Sequence, residues 1–63
     1  MDKTLEYLIE KLQEERTLKE KAMVDGVLQS FEEYKHVTGV IRGLLLAESV
    51  VTDLANRMEN SDE

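Results

Sequence analysis

Glu33-x-x-His36 is the spacing in this chain with the most chemistry in it. Glu-x-x-His places a carboxylate and an imidazole on one side of a helix, as in carboxylate-bridged di-iron bundles. Glu20 lies close enough in a helical hairpin to add a second carboxylate, and a two-fold dimer would duplicate the set. Such a site would make the protein a metal-binding helical dimer. Against it, Glu33 also completes a helix cap, and the pair falls near a turn. The simpler expectation is no metal and no cofactor, with His36 partly exposed and paired with Glu32 one helical turn away. His36 is the one histidine, so a Ser-His-Asp arrangement would have to use it with Ser30, Ser49 or Ser61. Ser30 caps a helix, Ser49 is mid-helix and Ser61 is near the end; none sits in a nucleophile elbow. Gly39-Val40-Ile41-Arg42-Gly43 has neither the lysine nor the preceding strand of a phosphate loop. The expectation is a protein that is not an enzyme.

The elements that carry these residues are helical. The chain has 63 residues, no cysteine, no proline and three glycines. Many Leu, Glu, Lys and Ala residues favour helix throughout. A chain this short buries only ~60% of its unfolded surface, so a lone core is marginal and oligomerisation is a common remedy. With 14 acidic and 8 basic residues the net charge is −6. Nucleic acid is therefore not expected as a partner, since phosphate contact needs clustered Lys and Arg. The opening MDKTLEY has no apolar signal segment, and Arg42, Glu48 and Asp53 interrupt the longest apolar run. Neither secretion by signal peptide nor a membrane span is expected.

The fold expected is all-α: an antiparallel hairpin with helices over about 3–24 and about 31–59, residues 1–59 forming one domain and 60–63 a frayed acidic tail. Asp2 caps the first helix. Leu5, Leu8, Ile9 and Leu12 form its apolar stripe, which fails at Glu15, Arg16 and Lys19. That charged middle reads as a solvated face with pairs such as Glu15–Lys19. Asp25-Gly26 is a turn signal. Ser30-Phe31-Glu32-Glu33 is a capping box, Ser30 accepting from the Glu33 amide and Glu33 from the Ser30 amide. Phe31 and Tyr34 should pack on Met23 and Val27, with Val27 and Leu28 closing the hairpin end. The expected register sets Leu5–Leu12 against Leu44–Val51, and the charged middle against 35–43. Arg42 could reach Glu10 or Glu14, and Glu48 could reach Lys3 or Lys11; rim charges of that kind contribute little.

The second helix has more apolar surface than the first can cover. Val37, Ile41, Leu44, Val51, Ala55 and Met58 form its main stripe. Gly39, Gly43 and Ala47 form a ladder of small residues beside it that permits close helix approach. Val40, Val50 and Leu54 widen the apolar arc further. The expected interface is Val37, Gly39, Val40, Ile41, Gly43, Leu44, Ala47, Val51 and Leu54, meeting a second copy of the chain or a larger protein. Two hairpins would make a four-helix bundle.

Phe31-x-x-Tyr34, Gly39-Val40-Ile41-x-Gly43-Leu44 and Asp53-Leu54-x-x-Arg57-Met58-Glu59-Asn60 resemble a family of small acidic proteins of tailed bacteriophages. The resemblance covers about half the chain and carries no catalytic residue. It implies an accessory protein found in the virion or the host cytoplasm, with a larger phage protein or its own copies as partners. The alternative expectation is a regulatory protein whose acidic first helix binds and inhibits a host factor.

Overall fold

The computed structural model describes residues 1–61 and consists of two helices, α1 (Lys3–Val24) and α2 (Phe31–Ser61), packed antiparallel into a rod of 51 × 16 × 13 Å. Local signals set the ends of α1. The Asp2 carboxylate accepts from the Thr4 amide at 2.7 Å and the Leu5 amide at 3.1 Å, satisfying two of the orphan donors of the first turn. At the other end the Gly26 amide donates to Met23 O and the Val27 amide to Ala22 O. These are the paired bonds of a Schellman motif. They require the left-handed backbone that Gly26 adopts, with φ of +70°.

At the start of α2 the Ser30 hydroxyl accepts from the Glu33 amide at 3.1 Å, as the capping box requires. The reciprocal half differs from expectation: the Glu33 carboxylate takes the Gln29 amide, at 2.7 Å, one residue before the cap. The helix also runs on through Asn60 and Ser61, where a frayed tail was expected. No glycine or proline stops it there, so its ladder continues. The rest of the expected tail, Asp62 and Glu63, lies outside the described residues.

The hairpin register differs more. Met1 is level with Glu59, where its amino group meets the carboxylate at 2.9 Å, and Arg16 is level with Glu48. Leu5–Leu12 therefore face Val51 and Ala55, about two turns beyond the stretch expected. The charged middle of α1 lies against Arg42–Val50 and not 35–43. At 1.5 Å per residue α2 is about 46 Å long and α1 about 33 Å. With the ends matched at Met1 and Glu59, the shortfall falls at the turn, and the first turns of α2 project past α1. This explains why Phe31 is 72% exposed and Val27 and Tyr34 are also largely open, instead of packed under the turn. Phe31 and Tyr34 stack on each other with ring centroids 6.4 Å apart. Leu28 alone of the connecting apolar residues is half-buried.

The core is thin. Among the described residues only Leu5, Ala55 and Glu48 are buried. Leu5, Ile9, Leu12, Arg16, Lys19 and Met23 face inward from α1 at alternating steps of four and three. Val37, Ile41, Leu44, Glu48, Val51 and Ala55 do the same from α2. Each seam is a heptad stripe, interrupted in its middle by Arg16 and Lys19 on α1 and by Glu48 on α2. Met58, expected in the core, is 43% exposed where α1 ends.

Candidate functional site

The Arg16 and Glu48 charges of the inner seam are paired with each other within the hairpin. Arg16 Nε donates to Glu48 Oε2 at 2.6 Å and Nη2 to Oε1 at 3.3 Å, a two-point fork. Its remaining nitrogen, Nη1, donates to Glu20 at 3.0 Å. The Glu48 bond is the main cause that holds the Arg16 guanidinium above its ordinary pKa; partial burial opposes the rise, and the charges of Glu48 and Glu20 reinforce it. Glu48 was expected at the rim, reaching Lys3 or Lys11. It is instead one of the three buried side chains, because its position falls on the stripe that α1 covers. The signal lay in the spacing. Arg16 and Glu48 are of opposite sign and sit at the inward position of their heptads, and the correct register brings them level.

The residues considered for a metal are placed apart in role. Glu20 is held by Arg16, Glu33 is spent on the Gln29 amide, and His36 is exposed on α2. No ion pair joins His36 to Glu32, and no three His, Asp or Glu side chains converge on a possible metal position among the described residues. The α1 pairs are Lys11–Glu14, Arg16–Glu20 and Lys21–Asp25, with Glu15–Lys19 not among them. Arg42 does not reach Glu10 or Glu14; it is exposed and lines a shallow groove with Glu20, Met23, Val24 and Tyr34.

The expected interface residues separate into two sets. Val37, Ile41, Leu44 and Val51 lie on the inner seam, half-buried against α1. Gly39, Val40, Gly43, Ala47 and Leu54 lie on the other side of the apolar arc. There, Val40, Gly43, Ala47, Val50 and Leu54 repeat the three-four spacing of the inner seam, displaced by one residue. This outer seam contains no charged side chain. Val50 is 60% exposed, Leu54 48%, and neighbouring Leu46 is also open. A Cβ added at Gly39 or Gly43 would meet nothing within 4 Å. The hairpin thus makes no use of the missing side chains, although each glycine costs its helix ~1 kcal/mol relative to alanine.

No helix among the described residues is long and apolar enough to cross a membrane. Comparison with known proteins finds no matching family model, no similar curated protein and no similar solved structure.

Proposed function

We propose that this protein works by being bound and not by catalysis: it is a small structural or interaction protein whose α2 outer face seats another protein surface. The observation that carries the reading is the outer seam itself. Val40, Gly43, Ala47, Val50 and Leu54 form an uncharged heptad stripe along the middle of α2 that the hairpin leaves exposed at Gly43, Val50 and Leu54 and half-buried at Val40 and Ala47. A soluble helix with two apolar stripes has room for two neighbours, and the hairpin supplies one. The resemblance at Phe31-x-x-Tyr34, Gly39–Leu44 and Asp53–Asn60 supports a setting in a tailed phage, as a virion-associated accessory protein that self-associates or docks on a larger phage protein. Mass spectrometry of purified virions tests this: a fixed copy number per particle is the expected result, and absence from the particle would overturn the virion setting.

One observation favours a second reading. Glu6, Glu10 and Glu14 follow one another at single-turn spacing along the exposed side of α1. That ridge suits a regulatory protein that inhibits a host factor through a basic surface. Ionic strength separates the two, since a charge-driven complex weakens steeply with salt and an apolar one does not.

A further inference from the structure

The occupant of the outer seam can be named from its own shape. Resting on the reading that this face is a binding surface, we propose that it is covered by a second copy of the chain, α2 against α2 and antiparallel, with the two-fold axis at Ala47.

Surface area is the first support. The chain exposes 5014 Å² for a mass of 7.3 kDa. A folded monomer of that mass exposes about 4200 Å² on the usual scaling. The excess, about 800 Å², is the area each partner buries in a standard interface.

Side-chain size is the second. Ala47 is near the middle of α2, so an axis there overlaps the two helices along almost their whole length. Val40 of one copy then opposes Leu54 of the other, and Gly43 opposes Val50. Val50 meets the space left by Gly43, and the small Ala47 pair lets the two helices come close at the axis. A parallel pair would set Gly43 on Gly43 and Leu54 on Leu54, leaving a hole at one level and crowding at the other.

Charge is the third. A chain with net charge −6 repels its copy, but the repulsion is not on this seam. Between Tyr34 and Thr52 the charged residues are Lys35, Arg42 and Glu48, and Glu48 is already bound by Arg16. At the seam's ends the antiparallel arrangement sets Arg57, paired with Asp53 of its own helix, level with Val37 of the other copy, where a parallel one would set Arg57 beside Arg57. The two-fold makes the contact self-complementary and closed, and two hairpins become a four-helix bundle.

Cysteine cross-linking tests the arrangement on the full chain, which has no cysteine of its own. Ala47→Cys, Val40→Cys and Leu54→Cys are made singly, checked for wild-type helicity and treated with a short bismaleimide. Ala47→Cys should cross-link to twice the chain mass. Val40→Cys alone and Leu54→Cys alone should not, because copies of either position stand about 21 Å apart across the axis. An equal mixture of the two should cross-link. Self-linking of Val40→Cys would overturn the antiparallel geometry. A wild-type solution mass of 7.3 kDa at high micromolar concentration would overturn the second copy as occupant. That result would leave docking on a larger protein standing, to be judged by the virion measurement.

Discussion

The two apolar faces of α2 share a spacing and differ in what they hold. The inner face, Val37 to Ala55, is covered by α1 and contains a carboxylate at its centre. The outer face, Val40 to Leu54, contains no charge and is only partly covered in the hairpin, with Gly43, Val50 and Leu54 exposed and Val40 and Ala47 half-buried. Burying a charge is costly unless it is paired with good geometry. The inner face meets that condition because Arg16 comes from the same chain, level with Glu48 and fixed by the turn. A polar layer of this kind fixes register, since sliding α1 by one turn would separate the pair. A face that must join a separate molecule gains most from shape and apolar area, and the outer seam has those alone. The difference suggests a division of labour: charge sets the hairpin, and apolar fit sets the assembly.

The largest effect is expected from charging the outer face. Val50→Asp with Leu54→Asp should leave the hairpin helical but weaken self-association about 1000-fold, roughly 4 kcal/mol, because the two-fold installs each carboxylate twice. Analytical ultracentrifugation reads this directly, and circular dichroism shows whether the helices survive. Next in size is the inner face. Arg16→Ala removes the partner of a buried carboxylate and should cost about 2–3 kcal/mol in urea unfolding. Replacing both members, Arg16→Met with Glu48→Leu, should restore most of that stability; if it does not, the pair contributes more than mutual neutralisation.

Gly43→Ala sharpens the comparison in a different way. In the background of the charged outer face, where chains are separate, it should stabilise the helix by about 1 kcal/mol, since a Cβ there meets nothing. In the wild-type chain it should weaken association, because the same Cβ then faces Val50 of the second copy. A gain in both backgrounds would show that no helix comes close at Gly43. The smallest change is expected from Phe31→Ala. Its ring lies on neither face and is mostly exposed, so stability should move by no more than about 0.5 kcal/mol.

The two-helix fold was legible because its punctuation is local. Asp2, Asp25-Gly26 and Ser30-x-x-Glu33 act through bonds within a few residues, and each ends or starts a helix where its chemistry says it should. Register was less legible. It depends on how far the projecting start of α2 runs past α1, which no local signal states, and the expected pairing was displaced by about two turns as a result. The same displacement hid Arg16–Glu48. Taken alone, Arg16 is where the α1 stripe fails and Glu48 is a charge interrupting an apolar run. Only when they are level do they become one buried contact. The excess of apolar surface on α2 could be read from composition and spacing. Its division into a covered seam and an open one needed the position of α1, which is why Val50 and Leu46 join the open side and Val37, Ile41, Leu44 and Val51 leave it.

The claim at the centre is that the outer face of α2 is covered in the working protein by another copy. Folding of such a chain is linked to association, so its thermal midpoint must depend on protein concentration. Circular dichroism melts of the wild-type chain from low to high micromolar should show the midpoint rising with concentration, and the Val50→Asp, Leu54→Asp chain should show none. A wild-type midpoint that stays constant across that range would contradict the claim.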